Sequence, residues 1–200
     1  NYNPKSQKPI EVKQIASGLA EPLGIKMVAG EMYVLQKQEL TKLIDTDGDE
    51  VIDEYRKVCN SWHVTSHYHE FAFGLLYKEG NFYATLATDL GEEYKNVPDR
   101  GKVVRISKDG SEFEIIAEGF RTPNGISHGP DGALYVSDNQ GNWIPTSKIV
   151  RVEKGKFYGF KHADWNRVKD YEEQPPLVWL PHVEISNSPS QQAILNIGPY

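Results

Sequence analysis

The sequence predicts an all-β fold, and three observations support that prediction. Short segments that alternate polar and apolar residues recur along the 200 residues, with turns rich in Gly, Asp and Lys between them. The chain contains 17 Gly, 12 Pro and 11 Tyr, and it has no long apolar stretch with helical spacing. Its hydrophobic content of 38% is enough for a sizeable core, so the strands should pack together rather than remain disordered.

A sequence repeat organises these strands. Tyr33, Tyr83 and Tyr135 lie 50 and 52 residues apart, each inside a turn-then-strand segment at 31–34, 81–84 and 133–136. A second set of strand segments follows at 40–44, 103–106 and 149–152. A third set alternates as outer strands should, at 11–15, 54–58, 112–116 and 176–180.

These units predict a β-propeller with about three blades and the start of a fourth. A blade is a four-stranded antiparallel sheet, and known propellers typically have about four to eight blades around a channel. The repeats are expected at about 11–53, 54–111, 112–175 and 176–200, as one incomplete region over 1–200 of a larger propeller. An open or sandwich-like β domain is the alternative.

Charge and hydropathy narrow the classes of partner. The formal net charge is −6 and the basic residues are not clustered, which argues against a nucleic-acid surface or a basic membrane-binding face. No segment approaches the roughly twenty apolar residues that span a bilayer, and the polar start lacks a signal-peptide core, so any targeting segment is expected to be missing already. Cys59 is the only cysteine, which excludes an internal disulfide and multi-cysteine metal sites.

The second blade carries a dense group of histidines. Propeller ligands are expected where loops from several blades converge on one rim, and alignment of the repeats puts Leu23, His69 and Asn124 in equivalent entry loops. Neutral imidazole can accept a proton from a substrate hydroxyl, and strand alternation would send His67 and His69 one way and Glu70 the other. The alternatives are rim histidines bonded to backbone carbonyls, or His67 and His69 sharing a metal ion.

The third blade offers a cation and several amides at the same rim. Arg121 carries a planar, permanently charged guanidinium, which suits a ligand with carboxylate or quinone oxygens. The amides of Asn124, Asn139 and Gln140 could orient such a ligand. The alternative is that Arg121 pairs with a local Asp and only holds the rim together.

An acidic loop at 45–56 follows the spacing of a calcium-binding loop. Its expected ligands are Asp45, Asp47, Asp49, the carbonyl of Val51, Asp53 and, as a substitute for the usual twelfth residue, Glu54. The loop departs from the motif at Glu50, where Gly is usual, and at Arg56, where Glu is usual. Because strands are predicted on both sides, calcium would clip two strands of one blade; a solvated acidic turn is the alternative.

At these loops the chain resembles the glucose/sorbosone dehydrogenase family, soluble propellers that oxidise sugars with pyrroloquinoline quinone. It looks closest to the bacterial subgroup often named membrane-bound dehydrogenase domains, whose Asp-rich loop, His-Glu-Phe-Ala-Phe-Gly strand and Asn-Pro-Asn-Gly loop correspond to 45–53, 69–74 and 122–125. The resemblance covers most of 11–190. Thr122 stands where the family has Asn, and Tyr68 or Glu70 stands where the family has glycines.

The resemblance implies a function and roles for residues. It gives His67 or His69 the part of the base and puts Arg121 at the quinone. It also implies a sugar or alcohol substrate, a cytochrome as electron acceptor, and a periplasmic or secreted location. If the site is active, the protein is an oxidoreductase.

Two functions of other classes remain as alternatives. The segment 123–136 also resembles gluconolactonase and regucalcin-like propellers, in which the Asn at the position of Asn124 binds a divalent metal. A metal-dependent lactonase would need carboxylates nearby, and the first blade has Leu23 at the equivalent place. A noncatalytic propeller could instead bind a glycan or a partner protein through aromatic side chains, namely Trp62, Tyr68, Trp143 and Trp165.

Overall fold

The computed structural model describes residues 12–88, 97, 99–141, 144–185, 188–193 and 195. Within them, twelve strands, a 3-10 turn at His162–Asp164 and a short helix account for the regular structure. The strands are β1 Gly24–Val28, β2 Glu31–Leu35, β3 Leu40–Ile44, β4 Glu54–Cys59, β5 Ala72–Lys78, β6 Asn81–Leu86, β7 Lys102–Ser107, β8 Phe113–Glu118, β9 Pro123–His128, β10 Leu134–Asp138, β11 Thr146–Val152 and β12 Val178–Pro181, and the helix is α1 Trp165–Val168.

The strands form three four-stranded antiparallel sheets in chain order, β1 to β4, β5 to β8 and β9 to β12. Each sheet is a meander in which every strand pairs with the next along the chain, as in a propeller blade. The prediction of an all-β propeller with about three blades is therefore confirmed. The predicted strand segments around the three tyrosines are β2, β6 and β10, and the following set is β3, β7 and β11.

The sheet boundaries differ in phase from the predicted repeats. Each predicted unit begins on the outer strand, whereas each sheet ends on it: β4 pairs with β3, β8 with β7 and β12 with β11. A sequence period predicts the spacing of the strands but not which neighbouring strand each one pairs with. In the structure each outer strand pairs with the strand before it in the chain, through a hairpin. Residues 12–15 lie outside any strand, and Glu11 lies outside the described residues.

Neighbouring sheets meet at their first strands through close backbone contact. A Cβ added at Gly24 of β1 would lie 2.8 Å from the Cβ of Leu75 on β5. At Gly74, where φ is +59, an added Cβ would lie 2.8 Å from Cγ2 of Ile126 on β9. Glycine is therefore required where the innermost strands of adjacent blades approach one another.

The core lies between the sheets in two clusters. Tyr33 and Phe82, with ring centroids 4.6 Å apart, lie in the cluster between the first two sheets. Phe120 and Ile126 lie in the second cluster, which joins the second and third sheets. Trp62 belongs to the first cluster, with only 6% of its surface exposed.

An ionic contact also joins the first two sheets at the edge that carries the β1–β2 and β3–β4 turns. Glu31 accepts hydrogen bonds from Lys42 and Tyr33 and forms a 2.9 Å ion pair with Lys108 of the β7–β8 turn. These contacts, led by Lys42, lower the pKa of Glu31 to about 2. No helix in the described residues is long and apolar enough to cross a membrane.

Candidate functional site

The loops predicted to bind substrate and quinone lie along one edge of the three sheets. Nζ of Lys37, in the β2–β3 loop, donates to the carbonyl of His67 at 2.6 Å, and Nε1 of Trp62 donates to the carbonyl of Lys37 at 2.9 Å. The backbone N–H of Asn139, after β10, donates to the carbonyl of Thr122 at 3.2 Å. The β2–β3 loop of the first blade therefore contacts the entry loop of the second, and the two loops of the third blade contact each other. We call this edge the rim.

The histidine loop (residues 60–71) and the Arg121 loop (residues 119–122) are fastened to consecutive residues. Ala87 N–H donates to the carbonyl of Phe71 at 2.9 Å, and Thr88 N–H donates to the carbonyl of Arg121 at 2.8 Å. Because consecutive Cα atoms are about 3.8 Å apart, these two contacts bring the ends of both loops close together. Residues about fifty positions apart in sequence thus meet at one place, as the repeat spacing requires.

The histidines lie in a turn before β5, so the predicted strand alternation is wrong. The rings of His67 and His69 nevertheless pack together, with centroids 5.4 Å apart. Tyr68 stacks on His67 and packs at a tilt against His69. The backbone N–H of His69 donates to Nδ1 of His67 at 3.1 Å. A neutral His67 ring that accepts at Nδ1 carries its proton on Nε2.

The pairing register also corrects the alignment of the entry loops. Asn124 lies within β9, one residue after the strand begins. The corresponding position of the second sheet is within β5, where Phe73 pairs with Thr85 one residue after the strand begins. His69 precedes β5 and is therefore not the structural equivalent of Asn124. Irregular registers in β5 and β9 shift the tyrosine-based alignment.

A buried ion pair supports the histidine loop. The Glu70 and Arg100 side chains are 1% and 0% exposed, with Nη2 3.8 Å from Oε2. Arg100 also donates to the carbonyls of His63 and Phe71, and Glu70 accepts from the Thr65 N–H at 2.7 Å. Burial lowers the pKa of Arg100 from its ordinary value, and the carboxylate of Glu70 opposes that change.

A second buried ion pair holds the Arg121 loop. The Asp138 carboxylate accepts from the backbone N–H groups of Arg121 and Thr122, at 3.2 and 2.9 Å, and Nζ of Lys148 lies 3.5 Å away. Burial raises the pKa of Asp138, while Lys148 and the two N–H groups act in the opposite direction. A local Asp therefore positions this loop by accepting hydrogen bonds from its main chain.

The predicted amides surround the same loop. Asn124 lies half-buried on β9, and the Asn139 side chain accepts from the Gln140 N–H at 3.0 Å. Asn139 also donates to Oγ of Ser188 at 3.5 Å. The side-chain oxygen of Gln140 is buried, and no described residue donates to it. An unsatisfied buried acceptor at a rim can receive a donor from a bound molecule.

The aromatic residues proposed for glycan stacking are not grouped together. Trp62 is in the core, Tyr68 is exposed beside the histidines, and Trp165 begins α1. Trp143 lies outside the described residues.

The acidic loop lies at the far end of β3, away from the rim. Asp45, Asp47 and Asp49 each offer a carboxylate oxygen within 4.8 Å of the others. Glu50 adopts a φ of +68, the left-handed conformation for which a calcium loop uses Gly at this position. Three of the predicted ligands are thus brought together in a calcium-loop-like backbone.

The other predicted ligands of this loop are differently placed. Asp53 accepts from the N–H and hydroxyl of Thr46 at 2.7 and 2.8 Å, and these bonds lower its pKa. Glu54 pairs with Arg56 at 2.8 Å, and the N–H of Val51 donates to Asp49 at 2.7 Å. Within the described part of the chain, neither His67 nor His69 belongs to a three-ligand cluster of this kind.

Several residues of the rim were not found by sequence reasoning. Asp99 and Arg100 lie 36 and 37 residues along the chain from His63, which they contact, and Asp138 lies 17 residues after Arg121. The sequence offered one indication of such a partner, namely Glu70. It directly precedes apolar residues at the start of β5, and a carboxylate buried there requires a cation.

Comparison with known proteins gives matches at the level of fold. No family model and no curated protein sequence matches the chain. A Thermus thermophilus protein described as an oxidoreductase (glucose dehydrogenase) superposes with a TM-score of 0.59 at 15% identity, covering 92% of this chain and 76% of that one.

Two further solved structures are similar. The soluble aldose sugar dehydrogenase from Escherichia coli, in its apo form, gives a TM-score of 0.55 at 14% identity, covering 87% of this chain and 62% of that chain. A calcium structure of the Trichoderma reesei carbohydrate-active enzyme of family AA12 gives 0.60 at 13% identity, covering 74% of this chain and 45% of the other. At these identities the similarity establishes the fold that the chain shares with them.

Proposed function

We propose that this propeller is a sugar or alcohol dehydrogenase that passes hydride to pyrroloquinoline quinone. The main supporting observation is that the histidine loop and the Arg121 loop are fastened to the consecutive residues Ala87 and Thr88. A proton acceptor and a permanent cation at one rim are the two groups that oxidation of an alcohol by a quinone needs. The Thermus and E. coli proteins that share the fold are named glucose and aldose sugar dehydrogenases.

The rim residues fit a quinone that carries carboxylates. Arg121 would face its anionic groups, and Gln140 offers a buried oxygen that no described residue uses. Asn139, beside Gln140, would orient the same ligand. When bound, pyrroloquinoline quinone supplies the hydride acceptor. The positive charge of Arg121 then stabilises negative charge that develops at this place.

A histidine of the histidine loop receives the proton of the substrate hydroxyl. Family resemblance assigns this part to His67 or His69. His67 already uses Nδ1 to accept from the His69 N–H, so that nitrogen is not presented to a substrate in this conformation. The loop is preorganised by the Arg100 and Glu70 pair, which fixes its backbone at both ends.

The same proposal includes the substrate, the electron acceptor, the location of the protein and its calcium site. The substrate is an aldose or a related alcohol, and electrons leave to a cytochrome in the periplasm or outside the cell. Membership of the bacterial membrane-bound dehydrogenase subgroup belongs to this proposal as well. Calcium bound by Asp45, Asp47 and Asp49 would stiffen the β3–β4 hairpin, distant from the quinone.

The test is a titration of the folded chain with pyrroloquinoline quinone in the presence of calcium, followed by absorbance and melting temperature. We expect saturable binding that Arg121→Ala weakens by about 10- to 100-fold, because a charge-assisted contact is lost. Arg56→Ala, an exposed arginine on β4, is the matched control and should bind normally. Folded protein without quinone binding would reject the proposal, and metal-dependent lactone hydrolysis would favour the lactonase instead.

A further inference from the structure

We propose that residues 188–192 form the innermost strand of a fourth blade, and that the hydroxyl of Ser188 donates a hydrogen bond to an oxygen of the bound quinone. The inference rests on the dehydrogenase function proposed above and adds to its site a residue that lies beyond the three sheets. Three features carry it: the path of residues 188–192, the backbone conformation of Ser188 and the contact between Ser188 and Asn139.

Residues 188–192 lie beside β9 and run in the same direction as that strand. Hydrogen bonds from side chains of the third blade mark their path, in order from the rim: Asn139 to Ser188 at 3.5 Å, Ser137 to Ser190 at 2.5 Å and Ser127 to Gln192 at 3.4 Å. Asn139 follows β10 at the rim, and Ser127 lies near the far end of β9. The segment therefore starts at the rim, as β9 does.

The segment also repeats the close contact that joins the innermost strands of the other blades. Gly24 and Gly74 mark the places where β1 approaches β5 and where β5 approaches β9. Gly125 of β9 continues this series, since an added Cβ would lie 2.5 Å from the carbonyl oxygen of Ser190. Residues 188–192 thus take the place that the innermost strand of a fourth blade would have. Their first residue, Ser188, lies where each innermost strand meets the rim.

The backbone of Ser188 has a conformation that is unfavourable for serine. Its φ is +51, in the left-handed region, where a Cβ crowds the following carbonyl oxygen. The next residue is Pro189, and a residue before proline is ordinarily extended. Conformations of this kind persist where the surroundings hold them, and they are concentrated at ligand sites. Glycine would fit this backbone better, so serine at this exposed position indicates a use for its hydroxyl.

Two consecutive residues join Ser188 to the Arg121 loop. Asp138 accepts from the N–H of Arg121 at 3.2 Å, and the N–H of Asn139 donates to the carbonyl of Thr122 at 3.2 Å. The side chain of Asn139 then donates to Oγ of Ser188. A planar quinone that contacts Arg121 would therefore extend over Asn139 to Ser188.

The free hydrogen-bonding groups here match those of pyrroloquinoline quinone. The Ser188 hydroxyl accepts from Asn139, and no described residue accepts its own O–H. Gln140, whose N–H bonds to the side chain of the same Asn139, has a buried oxygen to which no described residue donates. The quinone carries carboxylate and carbonyl oxygens and a pyrrole N–H. An oxygen of the quinone would accept from Ser188, and its N–H would donate to Gln140.

The test is a titration with pyrroloquinoline quinone of two variants that both lack the hydroxyl. Ser188→Ala and Ser188→Gly should each raise Kd by about 10-fold, the size expected for a lost hydrogen bond to a charged group. Ser127→Ala is the matched control. It removes a hydroxyl that contacts the same segment at Gln192, near the far end of β9, and should bind quinone normally. A loss in Ser127→Ala equal to that in Ser188→Ala would mean that docking of the segment, and not the Ser188 hydroxyl, controls affinity.

The two variants of Ser188 also separate a binding role from a structural one. Glycine relieves the left-handed conformation and alanine keeps it, so Ser188→Gly should melt at a higher temperature than Ser188→Ala while both bind quinone equally weakly. Normal affinity in both variants, or a loss in Ser188→Ala that Ser188→Gly restores, would overturn the inference and leave the dehydrogenase function intact. Folded, unaltered protein that binds no quinone would reject the dehydrogenase function and the role of Ser188 with it.

Discussion

The histidine loop and the acidic loop are both dense in chemical groups, yet they are held in different ways. In the acidic loop, the Asp45 carboxylate accepts from the N–H groups of Gly48 and Glu50, three and five residues away, at 2.7 and 2.9 Å. The histidine loop is held by Lys37 and Arg100, which lie 30 residues from His67 and 37 residues from His63. One loop is shaped by its own sequence and the other by the blades around it.

This difference indicates how each loop responds to change. A loop closed by short-range bonds at an exposed edge can be altered at little cost to the rest of the molecule. A loop fastened by a buried ion pair is coupled to the core, and loss of one partner leaves an uncompensated charge. Variants in the two loops should therefore differ several-fold in their effect on the free energy of unfolding.

The largest effect is expected from Arg100→Gln. The substitution leaves the Glu70 carboxylate buried without its cation and removes the donors to the His63 carbonyl. We expect the free energy of unfolding to fall by about 3–5 kcal/mol, measured by urea denaturation. Arg56→Gln, which removes an exposed arginine paired with Glu54, should change it by less than about 1 kcal/mol. Equal effects of the two variants would show that the histidine loop is not coupled to the core.

An intermediate effect is expected from calcium at the acidic loop. Calcium at a hundredfold excess over its Kd should stabilise the protein by about 2.7 kcal/mol, which corresponds to a rise in melting temperature on the order of 5–10 °C. Asp47→Asn should remove most of that rise, because one of the three converging carboxylates is lost. Without calcium the melting temperature should change little, since Asp47 is exposed and the Asn oxygen can still accept from the Asp49 N–H.

The corresponding turn of the second sheet provides the control for this prediction. Asp109 closes that turn by accepting from Ser107 and Ser111, and it has no acidic cluster around it in the described residues. Asp109→Asn should keep the full calcium-induced rise in melting temperature. An unchanged rise in Asp47→Asn would place any bound calcium elsewhere.

The smallest effect is expected from Glu50→Gly. Glu50 has a φ of +68, which costs an L-residue about 1 kcal/mol relative to Gly, so the variant should be more stable by about 0.5–1 kcal/mol. Glu50→Ala removes the same exposed ion pair with Lys13 but keeps the backbone cost. Thermal unfolding of both variants isolates the backbone contribution. If Glu50→Gly is no more stable than Glu50→Ala, the loop backbone is not strained.

Much of the fold was predictable because its strand segments repeat about every fifty residues. The spacing of Tyr33, Tyr83 and Tyr135 located β2, β6 and β10, and the strand that follows each was also located correctly. The phase of the sheets was not predictable in this way, since a strand at the edge of a repeat has a candidate partner on either side. Hairpin closure, such as Leu43 pairing with Tyr55 across the acidic loop, decides it.

The site was predictable only where its residues are grouped in sequence. The histidines, Arg121 and the three acidic residues of the β3–β4 loop stood out locally. Asp99, Arg100 and Asp138 did not, because single charged residues are usually solvated, and only the folded chain reveals that Arg100 and Asp138 are buried against partners. The same limit applies to Trp62, an apparent candidate for stacking that the fold uses as core.

The glycine contact between the innermost strands also affects how the molecule can diversify. At Gly24 and Gly74 an added Cβ would meet side-chain atoms of Leu75 and Ile126 on the neighbouring blade, so glycine at these positions sets how closely the innermost strands approach. The rim loops lie outside this contact and can lengthen, shorten or change composition while the approach is preserved. The innermost strands thus keep the relative position of the blades constant, so the rim loops can acquire new binding specificities without a change in the sheets.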